Sequence, residues 1–432
     1  MLWEQKVEYA VQSDIGFRRR NNQDSFAVQI APDREIWERR GHLFLVADGM
    51  GGHAVGELAS KLAADTIPHT FFKSTEEATE FALQDAITTA HRAIHERGNQ
   101  NRDFTRMGTT CTTLVLSPRG AILGHVGDSR CYRIRGGRIE QLTFDHSLQW
   151  ELLRQGRMSP EEIFLQQPRN VITRSLGPEP SVEVDVEGPY VIHPGDVYLL
   201  CSDGLSGLLK DEEIGTIAGE LPPPAACRLL VDLANLRGGS DNITVLIARV
   251  GEPPPGAVAL PPPEPPARES QYGWGWLAGF LAVGVTFVTG LAAAMLDRPV
   301  EGVYIEALAV VGMGALILCW LRFRRERREP ILAAVSAGTP YRTASAQVTS
   351  KFVSDLARME SGLQKNAHEE GWTVNWEEHD LAFKAAKAAL LERQYSLCLK
   401  HYASSIRALM SAVQQHRRQS DKSIKWGTKP TN

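Results

Sequence analysis

The chain has 432 residues, more than one ordinary domain requires, and a formal net charge of −4 at pH 7, which argues against nucleic acid as the main partner. With 23% charged and 43% hydrophobic residues, its composition is that of globular protein and excludes wholesale disorder. The six cysteines lack metal-ligand spacing and predict buried free thiols: Cys111, Cys131, Cys201, Cys227, Cys319 and Cys398. Residues 1–6 lack a basic region followed by an apolar core, so no cleaved signal peptide is expected.

Strands and helices alternate through the first 250 residues. Short apolar runs bounded by glycine predict strands at residues 7–11, 25–28, 42–47, 110–116, 121–126, 130–134, 138–142, 196–202 and 242–250. Helical periodicity predicts helices at residues 54–70, 76–97, 147–156, 211–219 and 224–236. Residues 157–180 are polar and proline-bearing, and predict a surface excursion. Grouped strands with flanking helices indicate an α+β fold of stacked sheets covered by helices.

Four aspartates lie at the ends of four of these strands, and each has a glycine beside it or just before it. A single Asp-Gly pair is usually only a turn. Four carboxylates at strand ends are instead typical of oxygen ligands that converge on a hard divalent cation such as Mg²⁺ or Mn²⁺. The candidates are Asp48, Asp128, Asp203 and Asp241.

Eight segments, in one order, resemble the signature blocks of the metal-dependent serine/threonine protein phosphatases, the PPM or type 2C family, in its bacterial form. They are residues 13–25, 48–53, 107–110, 127–130, 145–147, 170–177, 202–204 and 239–244. The resemblance covers roughly residues 6–250 and implies a central β-sandwich with helices on both sides. It also implies hydrolysis of phosphoserine and phosphothreonine in proteins by a water that two divalent cations, Mn²⁺ or Mg²⁺, activate.

Metal-site roles carry over one residue at a time. The resemblance implies that Asp48 bridges the two ions, that the carbonyl of Gly49 binds one of them, and that Asp203 and Asp241 bind the other. Asp24 would orient metal-bound waters from the second coordination sphere.

Two further positions also match. Asp128, with Asp203, matches a third, weaker metal position. Arg19 matches the arginine that clamps the substrate phosphate, a task that suits a guanidinium because it offers two parallel donors and stays charged. The adjacent Arg18 and Arg20 are interpreted as surface residues.

The chain departs from the family pattern at two places. Gln23 stands where many members have Glu, which weakens the expectation of a water-mediated contact there. Met50 stands where eukaryotic relatives have a His that is proposed to protonate the leaving oxygen. His53 is an alternative acid or a packing residue at a helix start, and metal-bound water is the simpler donor. In the family, the region of residues 157–180 is a flap that influences substrate choice.

Beyond the phosphatase-like part, residues 251–273 form a proline-rich spacer, and two apolar segments follow it. Residues 274–295 carry no charge and residues 303–321 only Glu306, so both are long and apolar enough to cross a bilayer. Five arginines between residues 322 and 328 then place the chain's following segment in the cytoplasm by the positive-inside rule. The alternative is a pair of buried helices in a soluble domain. We therefore expect a multi-pass inner-membrane protein with its phosphatase domain and its tail both cytoplasmic.

The last hundred residues predict helices at residues 347–366 and 378–393 and a third from Tyr395 with an apolar stripe. The second and third faintly resemble one tetratricopeptide-like hairpin, which either packs on the preceding helix or meets a protein partner. Residues 419–432 are predicted to be disordered. The domains are then 1–250 (phosphatase), 251–273 (linker), 274–321 (membrane hairpin) and 322–432 (cytoplasmic basic and helical region).

Three functions are compatible with this organisation: a membrane-tethered phosphatase, a non-catalytic adaptor built on a degenerate phosphatase fold, and a membrane-anchored scaffold that works through its C-terminal helices. Loss of a metal-binding aspartate would favour the adaptor. Asp48, Asp203 and Asp241 are all present, which favours the active enzyme.

Overall fold

The computed structural model describes residues 7–51, 53–104, 106–155, 171–251, 273–296, 298–336 and 340–425. The chain forms two compact units. The first comprises residues 1–148, 170–262 and 339–432, and the second comprises residues 149–169 and 263–338. The first unit therefore draws on chain from both sides of the predicted membrane hairpin.

The first unit contains two antiparallel sheets. One has the strand order β1 (Val7–Asp14), β11 (Ile243–Val250), β10 (Asp196–Cys201), β7 (Arg130–Arg135), β8 (Arg138–Gln141), β12 (Arg342–Ser345). The other has the order β2 (Asp24–Gln29), β3 (His42–Met50), β5 (Cys111–Ser117), β6 (Gly120–Val126), β9 (Asp185–Tyr190), and β4 (Gly108–Thr109) pairs with the end of β3.

The helices account for most of the remaining described chain. In chain order they are α1 (Arg34–Arg40), α2 (His53–Lys73), α3 (Thr79–Asn99), α4 (Leu148–Arg154), α5 (Asp203–Ser206), α6 (Asp211–Glu220), α7 (Pro223–Leu236), α8 (Gly273–Met295), α9 (Pro299–Ser336), α10 (Ser350–Glu369), α11 (Trp376–Leu391) and α12 (Tyr395–Lys425), with a short 3₁₀ helix at Arg102–Phe104.

Successive side chains along a strand point to opposite faces of the sheet, and this alternation explains why each sheet is packed on both faces. In β3, Phe44 and Val46 belong to a core between the two sheets, together with Leu200 and Leu246 of the opposite sheet. The intervening residues, such as Leu45, point to the other face and join a core with α2 and α3. Because successive side chains alternate, a strand that is apolar throughout is buried on both faces. The predicted sandwich flanked by helices is thus confirmed.

Local sequence patterns account for two details of the fold. Four apolar residues of α3, at spacings of four, three and four, lie on one face of the helix and are all buried: Leu83, Ile87, Ala90 and Ile94. The hairpin between β7 and β8 turns through Gly136 and Gly137, whose φ angles of 55° and 75° are the left-handed values that a tight two-residue turn requires.

The C-terminal segment is built into the phosphatase part. Strand β12, which sequence patterning did not predict, pairs with β8 at the edge of the first sheet. Leu356 of α10 and Ile406 and Leu409 of α12 share one buried core with Leu229 and Leu233 of α7. The last helices were expected either to pack on the preceding helix or to meet a protein partner. In the structure they pack, because α12 contacts both α10 and α7. The predicted disorder from residue 419 is wrong as far as residue 425, where α12 ends.

The second unit contains α8 and α9, which pack against each other. Each includes a stretch long and apolar enough to cross a membrane, Ala278–Met295 and Val300–Trp320, with mean hydropathies of 1.9 and 2.0. Only 6% and 11% of these stretches are buried, unlike the core helices of a soluble domain. The helices approach closely where a Cβ on Gly302 would lie 2.7 Å from the backbone nitrogen of Ala294. Most of the predicted flap and the proline-rich linker, at residues 156–170 and 252–272, lie outside the described residues.

Candidate active site

Two carboxylates face each other where β2 and β3 meet. Asp24 and Asp48 are direct cross-strand partners in the antiparallel register. Like charges in that position destabilise a sheet unless something compensates them. Asp24 is 8% exposed; its Oδ2 accepts a hydrogen bond from Ser202 Oγ at 2.8 Å, while its buried Oδ1 has no donor among the described residues. An orphaned, buried carboxylate oxygen is suited to a cation or to an ordered water.

Carboxylates from three other segments lie near this pair. The pKa of Asp24 is raised to about 7, mainly by burial and in part by the charges of Asp203 and Asp241. Burial raises the pKa of Asp48 well above its ordinary range, as do the charges of Asp24, Asp203, Asp128 and Asp241. Residues from five distant segments therefore share one electrostatic environment.

Two more of these carboxyl groups have raised pKa values. Asp203, at the start of α5, has its pKa raised to about 6, mainly by burial and then by the charge of Asp241. Asp128 is 8% exposed, and burial followed by the charge of Asp203 raises its pKa well above the usual range.

The spacing of these groups is looser than that of ligands around one ion. Among the described ranges, no three His, Cys, Asp or Glu side chains stand at metal-ligand spacing. The charges of neighbouring aspartates nonetheless help to raise the pKa values of Asp24, Asp48, Asp128 and Asp203. An all-oxygen donor set fits Mg²⁺ or Mn²⁺ better than softer metals.

Arg19 lies at the rim of this cluster. Its side chain is 49% exposed, and its Nη2 donates a hydrogen bond to Asp241 Oδ2 at 2.7 Å. The residue predicted to bind phosphate and a residue predicted to bind metal are therefore in contact. A half-exposed guanidinium beside acidic groups is available to an anion that arrives from solvent.

Comparison with known proteins identifies the family. A family model described as protein phosphatase 2C matches residues 18–223. A putative protein phosphatase 2C-type of Streptococcus pyogenes serotype M6 is 36% identical over 247 residues, which is 56% of this chain and 96% of that protein. The chain belongs to the protein phosphatase 2C family. It is therefore a serine/threonine protein phosphatase, a hydrolase of a metal-dependent family.

Two further comparisons agree with the family. Protein phosphatase PhpP of Streptococcus pneumoniae is 35% identical over 252 residues, 57% of this chain and 98% of that protein. The crystal structure of the serine/threonine phosphatase PstP/Ppp of Mycobacterium tuberculosis matches with a TM-score of 0.50 at 34% identity, covering 57% of this chain and 99% of that one. The fold described above is thus the phosphatase 2C fold.

Glycines next to the aspartates let backbones approach. A Cβ on Gly49 would lie 2.1 Å from the carbonyl oxygen of Gly56 in α2, and one on Gly204 would lie 2.0 Å from that of Asn242. No side chain fits at either position. The family's Asp-Gly pairs in this chain therefore serve packing as well as turning.

The backbone of Asp48 is fixed by the threonine block. Its N–H donates to Thr110 Oγ1 at 2.8 Å, and its carbonyl accepts from Thr109 Oγ1 at 2.9 Å and from Thr110 N at 2.8 Å. These bonds explain why a Gly-Thr-Thr block accompanies the aspartate.

Asn242 is a supporting residue to which sequence reasoning gave no role. Its Nδ2 donates to the carbonyls of Ile15 and Asn21 at 2.9 and 3.0 Å, and its Oδ1 accepts from the backbone N–H of Gln23 at 2.8 Å. The residue therefore closes the loop that carries Arg19 and holds it beside Asp241. The sequence feature that could have indicated this role is the position of Asn242 in the block of residues 239–244.

A buried ion pair lies near Asp128. The Nε of Arg130 donates to both carboxylate oxygens of Asp145, at 3.0 and 2.9 Å, and its Nη2 donates to Oδ2 at 2.6 Å. The network continues through Tyr132, whose hydroxyl donates to Asp211 at 2.9 Å, to Arg342 of β12 at 3.6 Å from Asp211. The C-terminal strand thus reaches the charge network near the site.

The structure also shows the environment of the two positions that depart from the family pattern, Met50 and Gln23. Met50 is half-buried and carries no acidic proton. Gln23 contributes its backbone carbonyl, which accepts from Gly49 N at 3.0 Å and from Ser60 Oγ at 2.6 Å. The side chain of His53 lies outside the described residues, so its role stays a prediction.

The metal-free protein is expected to lose stability as pH rises from about 4 to about 7. Asp24 has an unfolded pKa of 3.8 and a folded pKa of about 7, so its proton stabilises the fold fully below pH 3.8, and this stabilisation is lost as pH rises through 7. Mn²⁺ at a hundredfold its Kd adds about 2.7 kcal/mol, or about 5–10 °C in Tm. Thermal melting with and without Mn²⁺ at several pH values measures both effects.

The gain from Mn²⁺ is expected to grow between pH 5 and pH 7.5, because bound cations require deprotonated carboxylates. Sodium chloride of equal ionic strength is the control for screening alone. A Tm gain that sodium chloride reproduces, or that is the same at both pH values, would contradict a carboxylate site for the cation.

Proposed function

We propose that the chain hydrolyses phosphoserine and phosphothreonine esters of proteins with two divalent cations, Mn²⁺ or Mg²⁺, while tethered to the inner membrane by α8 and α9. The observation that carries the proposal is the placement of five aspartates, drawn from distant segments, close enough together that the pKa values of four of them are raised, beside one half-exposed arginine: Asp24, Asp48, Asp128, Asp203 and Asp241.

The residues that would hold the cations are Asp48, the carbonyl of Gly49, Asp203 and Asp241, with Asp128 and Asp203 at a third position. When bound, the cations supply Lewis-acid activation of water and charge neutralisation on the phosphoryl group. The buried Asp24 Oδ1 supports a role for Asp24 in accepting a hydrogen bond from a water in the cluster.

Arg19 would bind the phosphate of the substrate. Its guanidinium leaves Asp241 and donates two parallel hydrogen bonds to phosphate oxygens, a geometry that a planar fork of donors matches. Asp241 is then free of its ion pair. Among residues 48–51, Met50 has no proton to offer the leaving alkoxide, which favours water as the donor.

Membrane topology follows from where the hairpin is inserted. Except for residues 149–155, the described chain before α8 and after α9 belongs to one compact unit, so both flanks of the hairpin must emerge on the same side of the membrane. Two spans satisfy this condition, and the arginines after the second span make that side cytoplasmic. The substrates are therefore cytoplasmic phosphoproteins.

The full chain in detergent micelles is expected to release phosphate from a phosphothreonine peptide with Mn²⁺, to stop with EDTA, and to recover when Mn²⁺ is restored. Arg19→Ala should lower kcat/KM about 10–100-fold, mostly through KM, because a hydrogen-bonded charge pair contributes about 1.5–3 kcal/mol. Steady-state kinetics of the variant and of Arg20→Ala, an exposed neighbour, measure this difference. Equal effects of the two substitutions would refute phosphate binding by Arg19, and a chain inert with every divalent salt would refute the enzyme.

A further inference from the structure

The last helix touches the loop that carries Arg19, here called the arginine loop (residues 15–22). The Cζ of Arg417, in α12, lies 3.8 Å from the centre of the Phe17 ring. Its Nη2 also donates a hydrogen bond to the carbonyl of Phe17 at 2.7 Å. Stacking and a directed hydrogen bond from one guanidinium fix both the side chain and the backbone of Phe17.

The other side of the same peptide is held by the turn before Asp241. The N–H groups of Phe17 and Arg18 donate to the carbonyl of Gly239 at 2.8 and 3.1 Å. A Cβ on Gly239 would lie 2.6 Å from the Phe17 nitrogen, so the contact is a close backbone approach. Phe17 is thus clamped between this turn and Arg417.

The clamp stands next to the proposed phosphate site. Arg19 follows Phe17 by two residues, Asp241 follows Gly239 by two residues, and these two side chains form the ion pair at the rim of the carboxylate cluster. A change in the position of Phe17 is therefore passed to Arg19 through one intervening residue.

The position of Arg417 on α12 is set by the core. Val413 is 8% exposed and packs in the same core as Leu409 and α7. A residue four positions further along a helix lies on the same face, one turn on. Arg417 is therefore directed to the arginine loop by the apolar stripe that anchors the helix.

We propose that Arg417 is a positioning residue for phosphate capture: by clamping Phe17 it holds the arginine loop in the conformation in which Arg19 meets the substrate phosphate. The C-terminal helix is then a working part of the phosphatase site, although it lies about 400 residues away in sequence. This inference rests on the proposed role of Arg19.

The test compares Arg417→Ala with Arg407→Ala in the full chain in detergent, at saturating Mn²⁺, on a phosphothreonine peptide. Arg407 is exposed on the same helix and interacts with Asp232 of α7, so its loss removes a charge from the helix interface without touching the loop. Arg417→Ala should raise KM about 5–10-fold and leave kcat within about twofold, because Arg19 contributes to capture and not to bond cleavage. Arg407→Ala should leave both constants unchanged.

A double-mutant cycle separates positioning from general destabilisation. In the Arg19→Ala background, Arg417→Ala should add no further rise in KM, since the group that it positions is gone. An equal rise in both backgrounds, or no rise in the wild-type background, would overturn the inference. If Arg19→Ala alone leaves KM unchanged, it is the proposed role of Arg19 that fails.

Hydrogen exchange gives a readout that does not depend on turnover. In the metal-free chain, the amides of Phe17 and Arg18 should exchange faster in Arg417→Ala and at the wild-type rate in Arg407→Ala. Should the alanine variant fold poorly, Arg417→Lys keeps the charge and loses the planar stack, and it should show the same pattern to a smaller degree. Unchanged exchange at both amides in a folded variant would contradict the clamp.

Discussion

Replacing Asp203 with asparagine is expected to abolish Mn²⁺-dependent hydrolysis of a phosphothreonine peptide while the chain stays folded. Asparagine keeps the size of the side chain and one carbonyl oxygen, so the start of α5 is undisturbed, but the charge that would hold a cation is lost. Groups that merely support a metal ligand cost about 10–100-fold when removed, so a ligand itself should cost more than 100-fold. Initial rates across a Mn²⁺ titration measure the loss.

The substitution should not lower the stability of the metal-free chain. Because burial and Asp241 raise the pKa of Asp203 to about 6, its charge is unfavourable in the metal-free fold near neutral pH. The asparagine variant should therefore melt at the same temperature as the wild-type chain, or higher, when EDTA is present. It should also lose the rise in Tm that Mn²⁺ produces.

Asp232 provides a matched control. It is also a buried aspartate whose pKa is raised to about 7, mainly by burial, but it lies on α7, outside the carboxylate cluster. Asp232→Asn should keep turnover within about twofold of wild type. Full Mn²⁺-dependent activity in the Asp203 variant, or an equal loss in both variants, would show that the cations are not held where we propose.

The aspartates could be predicted because each belongs to a short block that also codes for a local turn. Asp48 lies near the end of the apolar strand β3 and is followed by three glycines. Asp203 opens the short helix α5 just after the apolar strand β10. Their convergence is a property of topology, which no single block contains. The direct pairing of Asp24 with Asp48 in the β2–β3 register, for example, appears only when the strands are laid side by side.

The edge strand and the clamp could not be predicted in this way. The strand β12 has four residues, Arg342–Ser345, and the strand with which it pairs, β8, lies some two hundred residues earlier. Arg417 is one arginine in a polar run. Its role becomes visible only through its hydrogen bond to Phe17, at the other end of the chain. Long-range contacts of this kind leave no local pattern.

One feature of the sequence did indicate that another element packs on α7. Helix α7 is apolar on nearly every side, with buried residues that include Ala226, Leu229, Leu230 and Leu233. A helix that is apolar all round must be covered on more than the one face that meets its sheet. The cover is α12, whose helix continues to Lys425 because residues 414–425 contain no glycine or proline.

The segment that contains α8 and α9 is consequently an insertion in one compact unit. This insertion gives a prediction for two shortened chains. A chain that ends after residue 339 should be largely insoluble and inactive, because it loses β12 and the apolar residues that cover α7. Leu356, Ile406 and Leu409 are among them, and each fully buried side chain of this kind contributes about 1.5–3 kcal/mol. The truncated chain would also lack Arg417 and with it the clamp on Phe17.

A chain in which residues 252–339 are replaced by a Gly/Ser linker should instead be soluble without detergent and active. Strands β11 and β12 are four strand spacings apart in the sheet, or about 19 Å at about 4.8 Å each. A flexible linker of about 16 residues has an r.m.s. span of about 22 Å and bridges that gap. Its kcat/KM should lie within about threefold of that of the full chain.

The pair of variants separates two views of the tail. If the C-terminal helices were an independent module, the truncated chain would be as soluble and as active as the linker chain, and the tail would matter only for a partner. If they complete the phosphatase, as the shared core and the pairing of β12 with β8 indicate, only the linker chain keeps turnover. Solubility, thermal melting and Mn²⁺-dependent kinetics of the two chains, measured side by side, decide between them.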